Sequence, residues 1–175
     1  MLDTVKVYFD TMLYLNKFQD PYTVRPETNH MFSKVKSGEF RLVISQINLM
    51  EIYHVLCLPI EDMKNFENAS DIMNEVTKIY NRIQTTMLSF PNTEFPDHEF
   101  DGIDPKHLIN FVENVPGSAL IDFHGKKLPG SMDFIHLMVA SNLKCEKFFT
   151  EDRGVLSLDS YKQKGNMKII KPYKS

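Results

Sequence analysis

The chain has 175 residues, 42% hydrophobic and 25% charged, from which a single compact domain burying roughly 70% of its unfolded surface is expected. A formal net charge of -3 and a pI near 6.1 exclude a strong long-range field for polyanions, so any nucleic-acid contact has to be local. The opening MLDTVKVYFD carries Asp3 and Lys6 and argues against export, and no run approaches the roughly 18 apolar residues of a bilayer span, so a cytoplasmic protein without a membrane partner is expected.

Val5 to Phe9 reads as a β-branched and aromatic strand ending at Asp10-Thr11, with an apolar helix starting at Met12. The stretch 20–38 holds two prolines and a closing glycine among polar residues and reads as loop with one short helix, the first of two insertions. Glu39 to Ser45 is a second strand, running into an apolar helix from Gln46 to Leu58 that Pro59 stops. Glu61 to Leu88 is helical, whole or broken near Asn68 to Ser70, with Ile72, Val76, Ile79, Tyr80 and Ile83 on its buried face. The second insertion, 91–129, opens with the acidic loop or irregular strand Pro91 to Asp104. Pro105 then starts a helix to about Asn114, and VPGSALIDFHGKKLPGS supplies a short strand. Ser131 caps a helix from Met132 to Leu143, apolar on almost every side and therefore interior. Lys147 to Thr150 and Met167 to Ile170 are strands. Cys57 and Cys145 lack metal-ligand spacing and read as buried thiols.

Strands alternating with helices predict a parallel sheet covered on both faces through right-handed crossovers. Ligands of such sheets bind beyond the carboxyl ends of the strands. Asp10 and Asp152 each follow a strand there, although either could simply cap the next helix. Glu51 falls on the apolar stripe of Ile47 and Val55, and Asp133 on that of Leu137 and Ala140, where a helix-dipole contact is the plainer alternative. Four carboxylates in one partly buried cleft would repel one another unless a hard divalent cation such as Mg²⁺ or Mn²⁺ stood among them.

The order and surroundings of VKVYFDTMLYLNKF, LVISQINLMEIYHVL, GSMDFIHLMVASNL and FFTEDRGVLSL resemble those of PIN domains, over most of the chain. The resemblance implies a three-layer α/β/α sandwich with a mainly parallel central sheet, and a Mg²⁺- or Mn²⁺-dependent endoribonuclease acting on RNA. It places the acidic set on Asp10, Glu51, Asp133 and Asp152, with Thr11 and Thr150 in supporting positions. Many relatives are toxins of VapC-like toxin-antitoxin pairs, which implies an antitoxin partner, and homodimers are common among them. The length of the chain departs from the compact toxins and separates the nuclease role from the toxin role.

In this reading Asp10, Asp133 and Asp152 hold the ion, while Glu51 positions or deprotonates the attacking water or serves a second metal. Arg153, Lys126 and Lys127 are candidate phosphate contacts, with solvated surface charge as the alternative for the lysines, and the lysine-rich tail from Tyr161 is a possible extension of an RNA track. His136 reads as a hydrogen-bonded structural histidine, and Tyr8, Phe9, Tyr14 and Phe18 as packing. Two other classes stay open. One is a catalytically silent PIN-like binding module in an RNA-processing assembly. The other is a metal phosphatase, against which stands the lack of a glycine-rich phosphate loop or a DxDx[TV] motif.

Overall fold

The computed structural model describes residues 4–18, 24–61, 69–98, 101, 106, 130–160 and 165–173. Among these, β1 (Val5–Phe9) leads into α1 (Thr11–Phe18) and α2 (Pro26–Lys36). Then follow β2 (Phe40–Val43), α3 (Gln46–Glu61), α4 (Ala69–Ser89) and the two-residue β3 (Thr93–Glu94). After the undescribed stretch come α5 (Ser131–Asn142), β4 (Lys147–Phe149), α6 (Arg153–Leu156), a 3-10 turn (Ser157–Ser160) and β5 (Lys168–Ile170). The strands form one sheet in the order β3-β2-β1-β4-β5, every neighbouring pair parallel. The chain therefore winds outward from β1 to one edge, then resumes at β4 on the other side of β1. Tyr8 stands beside Val43 on one flank and Phe148 on the other.

The period-2 alternation of the strands divides the interior into two cores. Tyr8, Val43, Phe148 and Ile169 face α5 and α6 and pack with Leu137, Val139, Ala140 and Val155. Val7, Phe9, Leu42 and Phe149 face the other way, against Leu13, Tyr14, Phe32, Ile52 and Met87 of α1 to α4. The result is a three-layer α/β/α sandwich. Both faces being covered explains why the strands read as nearly unbroken apolar runs, and each buried ring contributes about 1.5–3 kcal/mol through removal of apolar surface from water. The expected inward face of the long helix is present: Val76 and Ile83 are buried, with Ile72, Ile79 and Tyr80 packed against the same core. No helix among the described residues is long and apolar enough to cross a membrane.

Three local expectations need correction. The stretch read as mostly loop contains the eleven-residue helix α2, with Pro26 in its first turn and Gly38 beyond its end at φ +83. Proline at a helix start and glycine past its finish are boundary marks, not loop marks. Helix α3 runs through Pro59 to Glu61, because a proline so near the carboxyl terminus removes only a bond of the last turns. Ser131 lies inside α5, whose N-cap is Gly130. Of the two readings left open for the acidic segment after α4, the short strand is present as β3, fixed by Leu42 N–H to Asn92 O at 2.9 Å and Ile44 N–H to Glu94 O at 3.0 Å. The helix expected after Pro105, apart from helical Lys106, and the strand expected within 115–131 lie outside the described residues, as do Lys126 and Lys127.

Candidate active site

Where the strand order reverses, the helices after β1 and β4 diverge to opposite faces, which opens a crevice at the carboxyl ends of these two strands. Asp10 and Thr150 stand there, one residue past β1 and β4 respectively. Asp10 N–H donates to Phe149 O at 2.9 Å, which continues the sheet ladder and fixes the aspartate in the crevice. Its carboxylate accepts a short hydrogen bond from the Thr150 hydroxyl on Oδ2. The same hydroxyl oxygen accepts the Asp152 amide at 2.9 Å, so one threonine ties the two strand-end aspartates together. Asp10 is only 8% exposed, and burial lifts its carboxyl from 3.8 to about 6. The Thr150 bond and the charge of His136 oppose that rise, while the charges of Glu51 and Asp133 add to it.

The other carboxylates are each held by hydrogen bonds of their own. Asp133 Oδ2 accepts the Gly130 amide at 2.6 Å, closing the first turn of α5 from its third position. Burial raises its pKa, and the nearby charges of Asp152 and Glu51 push the same way. Asp152 Oδ1 accepts from Gly154 N at 2.6 Å and Val155 N at 3.2 Å, so the capping duty foreseen as its plainer role is present, at the N-cap of α6. Glu51, on the second turn of α3, accepts from His136 Nε2 at 2.7 Å. Burial alone would raise its pKa, but the His136 bond, the charge of His136, the Thr11 hydroxyl and the charge of His54 outweigh it and hold the carboxyl below its usual value.

No family model, curated protein or solved structure matches the chain. The chemistry of the crevice therefore rests on its own geometry. The charges of Glu51 and Asp133 reach Asp10, and those of Glu51 and Asp152 reach Asp133, so the four acidic side chains share one electrostatic neighbourhood. Their donors are hard oxygens, the kind Mg²⁺ and Mn²⁺ prefer. They are not drawn tight: among the described residues, no three His, Cys, Asp or Glu side chains stand close enough to enclose one ion. That spacing suits an ion that takes one or two carboxylates directly and the rest through water.

Behind the acidic side chains lies a polar network that reading the sequence did not assemble. His136, 1% exposed, bonds through Nδ1 to the Tyr8 hydroxyl at 2.7 Å, and Tyr8 meets Ser45 Oγ at 2.6 Å. Ser45 and Asn48 cap α3 reciprocally: Ser45 N–H reaches Asn48 Oδ1 at 3.1 Å, and Asn48 N–H reaches Ser45 Oγ at 3.2 Å. Asn48 Nδ2 then donates to Phe9 O at 3.2 Å and to Thr11 Oγ1 at 3.3 Å. The bonds therefore form one chain from Glu51 through His136, Tyr8, Ser45 and Asn48 to Thr11, whose hydroxyl lies on the Glu51 side of the crevice and helps to lower the Glu51 pKa. Nε2–H donates to the Glu51 carboxylate, and Nδ1 carries the chain on to the Tyr8 hydroxyl, so both ring nitrogens are engaged. His136 is thus the satisfied interior histidine expected, yet its partner is a site residue. The Ser45-x-x-Asn48 spacing was the one legible sign of the network.

Of the foreseen phosphate contacts, Arg153 opens α6 beside Asp152 and faces a cleft at the same edge of the sheet. In the tail, Lys168 lies exposed on β5 and Lys171 just past it, while Lys162, Lys164 and Lys174 are outside the described residues.

Proposed function

We propose that this chain is a PIN-like, Mg²⁺- or Mn²⁺-dependent endoribonuclease of the cytoplasm. The observation that carries the reading is the Thr150 hydroxyl tying Asp10 to Asp152 at the switch point, with the charges of Glu51 and Asp133 reaching the same buried Asp10 carboxyl. Desolvated acids that repel one another without a compensating partner are a costly arrangement, and a divalent cation removes the cost. Asp10, Asp133 and Asp152 would hold the ion, with Glu51 at its margin. A bound ion of this class acidifies water and stabilises charge on a phosphodiester. Glu51 has the ionised carboxylate suited to take the proton of the attacking water, and His136 holds it in place. Its low pKa limits its strength as a base, so orientation is the larger part of this role.

Purified protein should cut single-stranded RNA with Mn²⁺ or Mg²⁺ and not with EDTA, and Asp10→Asn should reduce cutting to background. Asparagine still accepts the Thr150 hydrogen bond, so the variant should melt cooperatively. RNA left intact by the wild type in both ions would sink the proposal. The open spacing of the carboxylates favours a second reading, a silent PIN-like module in an RNA-processing assembly, which predicts RNA binding without cutting. An antitoxin partner or a homodimer belongs to the toxin form of the first reading; co-purification with a small DNA-binding protein would support that form.

A further inference from the structure

Beyond the carboxyl ends of β4 and β5 lies a cleft of about 500 Å³, bounded by Glu151 and Arg153, by Lys171 to Tyr173, and by Arg25 and Glu27 at the start of α2. Its volume is in the range of sites that enclose a small organic group. Glu151 and Arg153 flank Asp152 in the chain, so the cleft adjoins the acidic crevice. Arg25 is committed to an ion pair with Glu151. Arg153 and Lys171 have no carboxylate partner among the described residues, and they bring two positive charges to the border of an acidic centre. Tyr173 supplies the third element. It lines the cleft and is 40% exposed, and its ring is steadied by Phe149 at 6.4 Å and His30 at 5.6 Å between ring centres, with Lys34 Nζ 6.0 Å from its centre as a third neighbour.

We propose that this cleft binds one nucleotide unit of single-stranded RNA, its phosphate on Arg153 and Lys171 and its base stacked on Tyr173. The inference rests on the nuclease reading only for the position of that unit, next to the phosphate to be cut. Cations beside an exposed ring are the combination that holds an unpaired strand, because every base offers a face to stack while the charges follow the backbone. A duplex keeps its bases inside and cannot use the ring. An acidic peptide could use the cations but would gain nothing from the tyrosine.

The test measures binding of a fluorescent single-stranded RNA of about ten nucleotides to the full chain in EDTA, where no metal-dependent cutting occurs, over a salt series. Arg153→Gln/Lys171→Gln should weaken binding at least tenfold and lower the salt slope by about 0.7, the loss expected for one phosphate contact on a single strand. Tyr173→Ala should weaken it roughly tenfold with little change in slope. Tyr173→Leu, which keeps an apolar side chain against Phe149, should show the same loss if stacking is responsible; a Leu variant with wild-type affinity overturns the role of the ring. Unchanged affinity and slope in the double variant overturn the cleft altogether, as does equal binding of duplex RNA or equal displacement by polyglutamate. Metal-dependent cutting sensitive to Asp10→Asn is read separately, so either idea can fail while the other stands.

Discussion

Two clefts of nearly equal size lie at opposite ends of the same pair of strands. The one at the amino ends of β4 and β5, about 490 Å³, is lined by Ser141, Lys144, Cys145, Lys147 and Lys168 among others; the one at the carboxyl ends, about 500 Å³, adjoins the acidic crevice. Volume does not separate them. The carboxyl end of the sheet also carries a chain of buried hydrogen bonds and a set of acids that feel one another; the main buried titratable group of the amino-end cleft is Cys145, whose thiol burial pushes up to about 12. A hollow acquires chemistry from the coupling of the groups around it, and the clearest tests perturb that coupling at one end and leave the other alone.

The largest expected effect is on the hydrogen-bond network. His136→Ala leaves the Tyr8 hydroxyl and the Glu51 carboxylate without their shared partner and opens a cavity, which should cost about 4 kcal/mol in chemical denaturation. Tyr8→Phe removes one hydroxyl from the same network and should cost about 1–2 kcal/mol. If His136→Ala costs no more than a surface substitution, the buried network is not what holds Glu51.

Next is the burial of Asp10. Its carboxyl titrates near 6 in the folded protein against 3.8 as its ordinary value. Between those values the folded state keeps a proton that the unfolded chain has released, so stability from this group is full below the lower value and falls as pH rises through the window. Above pH 6 the metal-free protein carries the whole penalty, about 3 kcal/mol at 1.36 kcal/mol per pH unit. Asp10→Asn should therefore be more stable than the wild type at pH 7.5 in EDTA, and Mn²⁺ should raise the melting temperature of the wild type but not of the variant. Equal melting temperatures without metal would show that the charge of Asp10 is not confined as its burial implies.

These residues also show how far the sequence can be read. Asp10 was legible because it directly follows a short apolar strand, and parallel strands deliver such residues to one edge; Thr150, read as the last residue of its own strand, was singled out only through the resemblance to PIN domains. Asp152 was legible as a cap and as a candidate site residue; the structure shows it capping α6 and tied through its amide to Thr150 beside Asp10. His136 was recognisable as an interior histidine, but its bond to Glu51 spans 85 positions and depends on α3 and α5 meeting across the end of the sheet. Tyr8 looked like core because it is core; only the path of the partner elements shows that its hydroxyl meets Ser45 and His136. Helix α2 was obscured because proline and glycine were weighed as breakers when they stood at its boundaries.

At the amino end the expected effects are smaller. Cys145, 4% exposed and with its thiol raised to about 12, should resist alkylation at pH 8 in the native protein, with Cys57 modified first. Cys145→Ser should cost about 1 kcal/mol by burying a hydroxyl in an apolar cluster and should leave RNA cutting unchanged. Rapid native labelling of Cys145, or lost cutting in the serine variant, would blur the distinction between the two ends.

The smallest effect separates local strain from function. Lys144 has φ +57 in the tight turn between α5 and β4, a conformation that a lysine adopts only against steric resistance. Asn92, at the same angle before β3, is of a residue type that tolerates it. Lys144→Gly should therefore stabilise the chain by about 0.5–1 kcal/mol, while Asn92→Gly should gain less, since it also removes the Asn92 Nδ2 bond to Val35 O at 2.8 Å. Strain at functional sites persists because the surroundings enforce it, whereas strain at an idle turn can be relieved without consequence. If Lys144→Gly raises the melting temperature and also slows RNA cutting, the amino-end cleft is coupled to the acidic crevice and the division between the two ends of the sheet is wrong.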